Sequence, residues 1–371
     1  MTLASHALVT RDRTALRLID CDVHHDLQGW ADLHPYLPPV WRERIGTRGP
    51  SIGKRAMENV RGHIIAEDMI NPATGLPADD PAWVGRELFD KYGVDLGVLT
   101  SHILWVSSHP DVNLANAVAS AFNDWTLDRW VRPNPRFKGS IIVTPQDPEA
   151  AVAEIDRLGD DPGMVQVLVF TGANAPYGQR RYHPIWAAAE RHGLPVAIHG
   201  GGDTVGISPT STSVGPIAYY TEHHTLISQG AQVHLVSMVA EGVFEKFPGL
   251  KVLFVELGFA WLPFIMWQLD KDFKGNRSEL PWLKRLPSEY ILDQVRFTTQ
   301  PIAEPRRPKE LLDLFAMIDA ERTLLYSSDY PHWDFDNPQQ AFKDVPTDLR
   351  RRIFVDNALA LYGDRLLAPS T

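Results

Sequence analysis

The chain has 371 residues, 44% of them hydrophobic, which is enough for a large soluble core and at this length for one α/β barrel or two average domains. Its 46 acidic side chains against 36 basic ones give a net charge of −10, which argues against nucleic acid or an anionic membrane as the main partner. The single cysteine, Cys21, excludes an internal disulfide framework and fits a reducing compartment.

In chain order, eight short runs rich in Val, Ile, Leu and Phe read as buried strands: residues 16–21, 95–100, 137–143, 164–170, 196–199, 252–255, 296–299 and 323–326. Nearly continuous apolar runs suit a parallel sheet covered on both faces. Helical patterns fill the gaps. Residues 111–130 place Leu114, Val118, Phe122 and Trp125 on one face, and residues 150–158 and 185–191 are shorter examples. The run 228–247 is long and apolar, and a capped tail helix closes at Gly363. Eight strands alternating with helices predict an α/β fold of the (β/α)8 TIM-barrel type. No repeat or low-complexity linker interrupts it, so residues 1–371 read as one barrel domain.

The spacing is uneven. The longest gap separates the first two strands, and residues 23–94 are predicted to cap the catalytic mouth. Residues 200–228 and 270–293 are further insertions. The N-terminus lacks a sustained apolar segment, and residues 259–267 are interrupted by Pro263 and too short to span a bilayer. A cytoplasmic protein is expected.

Chemistry-bearing residues follow four of the strand-like runs: Asp22 and His24 after the first, then His199, Glu256 and Asp329. Imidazoles and carboxylates at the C-terminal ends of different parallel strands can converge, and a divalent metal takes that ligand mixture. Strand alternation puts Asp20, Asp22 and His24 on one face, with Cys21 and His25 on the other as packing residues. Asp20 lies deeper and reads as orienting a ligand or neutralising the barrel interior. His102, His224 and His332 are candidates for substrate contact, surface packing being the competing reading for each; His223 shares the case of its neighbour. His234, among Leu235, Met238 and Val239, reads as a satisfied core histidine. Gly200-Gly201-Gly202 lacks the register of a phosphate loop, since position 205 is Val, and reads as backbone room beside the site. Trp261, Trp267 and Trp282 read as core or subunit contact. No Gly-x-Ser-x-Gly elbow is present, which argues against a serine hydrolase.

The runs Ile19-Asp20-Cys21-Asp22-Val23-His24, Leu194-Pro195-Val196-Ala197-Ile198-His199, GVFEKFPGLK at 242–251 and Ser327-Ser328-Asp329-Tyr330-Pro331-His332, in that order, resemble the amidohydrolase superfamily. The resemblance is to its amidohydrolase-2 branch, which includes aminocarboxymuconate-semialdehyde decarboxylase, related aromatic decarboxylases and several hydrolases. It implies that Asp22 and His24 stand where the family has first-strand His-x-His ligands, and that His199 is the fifth-strand ligand. Asp329 would be the eighth-strand aspartate that both ligates metal and handles protons. One divalent ion is implied, zinc first, with manganese or magnesium as alternatives. Two departures matter. Asp22 replaces a histidine, which adds an oxygen donor and suits a harder ion. Glu256-Leu257-Gly258 stands where the decarboxylases carry His-Gly-Gly, which weighs against decarboxylation.

The function expected from these residues is a metal-dependent hydrolase acting on a small cyclic or aromatic carbonyl compound through a metal-activated water. Asp329 would take up and return the proton, with Glu256 as a second proton-transfer group. The alternative is a non-oxidative decarboxylase of an aromatic or muconate-type carboxylate. A third reading is an inactive barrel serving as a binding protein. An anionic substrate group would need a cation or amide donors from the cap, where Arg42, Arg44, Lys54 and Arg55 are the nearby cations. A small-molecule substrate and a homodimer or larger homo-oligomer are the expected partners.

Overall fold

Eight strands lie side by side in chain order, and every neighbouring pair is parallel. They are β1 (Ile19–His25), β2 (Leu96–Ser101), β3 (Phe137–Ile142), β4 (Met164–Phe170), β5 (Val196–His199), β6 (Val252–Val255), β7 (Val295–Thr298) and β8 (Leu324–Leu325). The computed structural model describes residues 13–50, 64–203, 205–209, 212, 214, 215 and 217–368. The segment around β8 returns to β1: the Cys21 amide donates to the Tyr326 carbonyl at 2.9 Å and the His24 amide to the Tyr330 carbonyl at 2.9 Å. This is the predicted (β/α)8 barrel.

The strands form where the sequence offers side chains that tolerate burial on both faces; apart from Arg296, every strand residue is buried. Helices on the outside start at designed stops. Asp111 accepts the Leu114 amide at 3.0 Å to open Val112–Thr126, and Asp147 accepts the Ala150 amide at 3.2 Å to open Pro148–Leu158.

Three expectations are corrected. β1 runs through His25 instead of ending at Cys21, so Asp22 and His24 lie within the strand. Its pairing with β2 slips between Asp20 and Val23, an extra residue in β1 that simple alternation does not anticipate. The long helix over 228–247 is two: Ser228–Ala240 ends before Gly242, whose φ of 71° is left-handed, and Val243–Lys246 follows. A side chain at Gly242 would also meet Trp282, its Cβ falling 2.5 Å from Cδ1. Finally, the helix over 111–130 widens into a looser turn at Leu127–Val131 after Thr126.

The segment between β1 and β2 reaches over the C-terminal mouth of the barrel. The Ala66 amide donates to the Pro331 carbonyl and the Trp333 amide to the Ile64 carbonyl, each at 3.0 Å, flanking an antiparallel bridge between Ile65 and His332. Two of the proposed cationic cap residues, Lys54 and Arg55, lie outside the described residues. Arg44 pairs with Asp111 at 2.5 Å and Arg42 donates to the Leu37 carbonyl at 3.2 Å; neither lines the mouth. Among the described residues no helix is long and apolar enough to cross a membrane.

Two glycine-bearing loops touch backbone to backbone beside the mouth. A Cβ on Gly172 would lie 2.1 Å from the carbonyl carbon of Gly202, an atom that cannot swing aside as a side-chain tip can. Gly172→Ala is therefore expected to cost about 1–3 kcal/mol, the usual range for overpacking. Urea unfolding checks this, and a midpoint unchanged from wild type contradicts it.

Candidate active site

The strand ends converge as the sequence implied. His24 Nε2 lies 3.0 Å from Asp329 Oδ1 and 3.8 Å from Asp22 Oδ1. His199 Nε2 lies 3.6 Å from the same Asp22 oxygen. Glu256 joins them, with Oε2 at 3.2 Å from His199 Nε2 and 4.0 Å from His24 Nε2. Asp22, His24, His199 and Asp329 are at most 1% exposed.

Local backbone aims these groups. Asp329 and Glu256 both have left-handed φ, 59° and 56°, an uncommon state for residues with side chains that costs on the order of 1–2 kcal/mol each. Each follows a strand, and the turn throws its carboxylate toward the barrel axis. The Glu256 amide is held by the Thr298 hydroxyl at 3.1 Å. His199 Nδ1 donates to the Gly200 carbonyl at 2.7 Å, which leaves a lone pair on Nε2 directed at the cluster. Thr100 donates its hydroxyl to Asp22 Oδ1. Asp20 stays below, accepting the amides of Ser328 at 2.9 Å and Asp22 at 3.2 Å, so it supports the strand ends without joining the donor set. The glycine run supplies room as expected: Gly201 and Gly202 have φ of 121° and 77°, and a Cβ at Gly200 would lie 3.2 Å from the Glu256 carbonyl.

These residues fit a divalent ion. Asp22 Oδ2, both nitrogens of His24, His199 Nε2 and Asp329 Oδ2 are buried and make no hydrogen bond, a costly arrangement unless something else satisfies them. Electrostatics agrees. Burial and the repulsion of Asp329 push Glu256 well above the usual carboxylate range, and burial together with Asp22 does the same to Asp329. Burial pulls His199 down, but the Asp22 and Glu256 carboxylates outweigh it and raise it to about 9. Burial and the neighbouring histidines hold His24 well below its ordinary value. Without an ion the carboxylates draw a proton onto His199, and a bound cation would take over that charge.

Above the cluster is a cavity of about 390 Å³. Ile64, Ile65, Pro77, Leu104 and Ile227 form apolar walls, and no Lys or Arg lines it among the described residues. All three predicted substrate histidines face it, as does His223. His332 Nδ1 pairs with Asp329 Oδ1 at 2.7 Å, His332 Nε2 with His102 Nε2 at 3.3 Å, and His102 Nδ1 with Asp26 Oδ2 at 3.5 Å. The Asp26 side chain is 39% exposed, so this file of groups runs from the floor of the site to its rim. His224 Nε2 lies 3.1 Å from Asp334 Oδ2, which also accepts from Gln300 at 2.8 Å.

Sequence reasoning missed Asp26, Asp334 and Tyr220, whose ring stacks on His224 in the cavity wall. Asp26 stood in plain view, two residues beyond His24 on the same strand face. Asp334 and Tyr220 carried no signal, because their place depends on how long loops fold. The packing residues behave as expected. His25 bonds to the Thr100 carbonyl and the Thr126 hydroxyl at 2.6 and 2.8 Å, and His234 takes the Tyr177 amide and the Thr171 carbonyl. Cys21 is fully buried. Trp261 packs on the core, while Trp267 and Trp282 are 61% and 44% exposed.

Comparison with known proteins gives the same picture. A gamma-resorcylate decarboxylase of Polaromonas sp. is 26% identical over 298 residues, covering 74% of this chain and 85% of that protein. Among solved structures, an amidohydrolase from Mycobacterium avium subsp. paratuberculosis superposes with a TM-score of 0.69 at 22% identity over 94% of this chain and 98% of its own. The 5-carboxyvanillate decarboxylase of Novosphingobium aromaticivorans, complexed with manganese and 4-hydroxy-3-methoxy-5-nitrobenzoic acid, gives 0.70 at 19% identity over 97% and 99%. The amidohydrolase family model matches residues 79–363, spanning β2 to the last helix, and the chain belongs to that family.

Proposed function

We propose that this chain is a metal-dependent carboxy-lyase that removes carbon dioxide from an aromatic carboxylate bearing a ring hydroxyl, with Asp22, His24, His199 and Asp329 holding the ion. Two features support decarboxylation over the hydrolysis expected from the sequence. The curated relatives are named as decarboxylases of hydroxylated aromatic acids. The observation that carries the reading is the file Asp329–His332–His102–Asp26. Each decarboxylation replaces a carboxylate by hydrogen and so consumes one proton from solvent. Hydrolysis consumes no net proton from solvent.

A bound divalent ion would supply positive charge that holds the substrate carboxylate and an adjacent oxygen. The chain's own groups do the rest. Asp329 delivers a proton to the ring carbon that bears the carboxylate, and the positive charge that develops in the ring is stabilised by the ring hydroxyl. The carbon–carboxylate bond then breaks, its electron pair restores the aromatic ring, and carbon dioxide leaves. His332 returns a proton to Asp329 and is resupplied through His102, which the ionised Asp26 holds at the rim where solvent provides the proton. The apolar walls exclude water from the ring, and His224, oriented by Asp334, is placed to bond a ring hydroxyl.

Self-association belongs to this reading. Phe264 and Trp267, both 61% exposed and three residues apart on the helix Leu262–Gly275, form an apolar surface that a second copy would cover. Cytoplasmic residence, suggested by the lone cysteine, belongs to it as well.

With 2,6-dihydroxybenzoate or 5-carboxyvanillate, the metal-loaded protein is expected to release carbon dioxide in step with product. In deuterium oxide, deuterium should enter the ring at the vacated carbon. Oxygen from labelled water in the aromatic product, without carbon dioxide, would restore the hydrolase. His102→Ala is expected to lower kcat about 100-fold, the lower end of the range for an assisted proton transfer, with KM little changed and partial rescue by added imidazole. Unchanged kcat in that variant removes the relay from the mechanism. Sedimentation at micromolar concentration should show a species at least twice the 41.6 kDa of the chain; a monomer alone would refute the association.

A further inference from the structure

We propose that Glu256 is itself a ligand of the metal ion, so that one coordination sphere holds three carboxylates, from Asp22, Glu256 and Asp329, and two imidazoles, from His24 and His199. The inference rests on the metal-centre part of the function proposed above and is independent of the reaction.

Spacing is the first argument. Bonds of about 2.0–2.2 Å from an ion to oxygen and nitrogen put ligands at right angles roughly 3 Å apart and opposed ligands roughly 4.3 Å apart. The implied ligands fall in that window, at 3.0, 3.6 and 3.8 Å. Glu256 falls in it too, at 3.2 Å from His199 Nε2 and 4.0 Å from His24 Nε2. Asp22, His24, His199 and Glu256 offer one donor atom each within 4.8 Å of one another, and Glu256 also belongs to a second such group with His24, Asp329 and His332.

Lone pairs are the second argument. His199 gives its Nδ1 hydrogen to the Gly200 carbonyl, so Nε2 faces the Glu256 oxygen with a lone pair. Two lone pairs at 3.2 Å repel unless a cation lies between them. A proton on His199 would answer for its contacts with Glu256 and with Asp22 Oδ1. It would leave Asp22 Oδ2, His24 Nε2 and Asp329 Oδ2 buried without a hydrogen bond. One ion answers for all of them. Among the described residues, the ion-pair contacts of the Glu256 carboxylate are with these two imidazoles.

Position is the third. Glu256 and Asp329 leave their strands with nearly the same left-handed φ, 56° and 59°, and their carboxylates reach the axis from β6 and β8 in parallel fashion. With three oxygen donors among five ligands, the centre suits a hard ion of higher coordination number, which favours manganese over tetrahedral zinc.

The test is metal binding by chelator-stripped protein without substrate. Manganese is titrated by the loss of its free electron-paramagnetic-resonance signal, and zinc by competition. Glu256→Gln is expected to weaken manganese binding at least tenfold, and Glu256→His to shift preference toward zinc. Apo-protein melting points, unchanged among the three proteins, establish that the fold is intact. Wild-type manganese affinity and an unchanged bound-ion spectrum in Glu256→Gln would overturn the role of Glu256. So would a crystal structure of the manganese-loaded wild type with both Glu256 oxygens beyond about 3 Å of the ion, well outside bonding range. Wild-type protein that binds no divalent ion would overturn the metal centre as a whole. Absence of decarboxylation leaves this proposal standing, because no readout depends on turnover.

Discussion

Mutual repulsion among buried carboxylates is the constraint on which this site depends. Asp22, Glu256 and Asp329 crowd around two imidazoles at the barrel mouth, four of the five almost wholly out of water. Burial first, and then the neighbouring carboxylates, push Glu256 and Asp329 well above their ordinary range. The barrel holds these groups in place despite the cost, because each is fixed by its own strand and by the strand's neighbours. β5 and β6 are paired on both sides, and β1 pairs with β2 and bridges to Tyr330 beside Asp329.

The supporting bonds share a pattern. Short polar groups steady the functional residues: the Thr100 hydroxyl for the Asp22 side chain, the Gly200 carbonyl for the His199 ring and the Thr298 hydroxyl for the Glu256 amide. The cavity above continues the theme, with apolar walls and imidazoles but no described Lys or Arg. A substrate anion would therefore have to be met by the ion or by histidine donors, not by an arginine clamp.

Much of this was legible in the sequence. The eight strands were visible because a parallel barrel buries both faces and writes apolar runs such as Val252–Val255, which needs no context to interpret. The donor set was visible because strand ends at the C-terminal mouth are where such folds place chemistry. What escaped was set by events that leave no local trace. The slip between Asp20 and Val23 depends on how β1 meets β2, and the break at Gly242 depends on Trp282, forty residues away in sequence. The reaction was harder still. Glu256 in place of a histidine tilted the reading toward hydrolysis, whereas the curated relatives and the file of groups leading to Asp329 favour carboxy-lyase chemistry. A substitution at one strand end says less about a reaction than the proton balance the site is built to serve.

The bridge between Ile65 and His332 ties two jobs to one piece of backbone. His332 stands between the floor acid and the rim, and the segment pinned to it by hydrogen bonds at Ala66 and Ile64 is also a wall of the cavity. Residues 64–66 cannot lift away from the mouth without tugging on 331–333. Any shift of that wall would therefore move the imidazole that faces the floor acid.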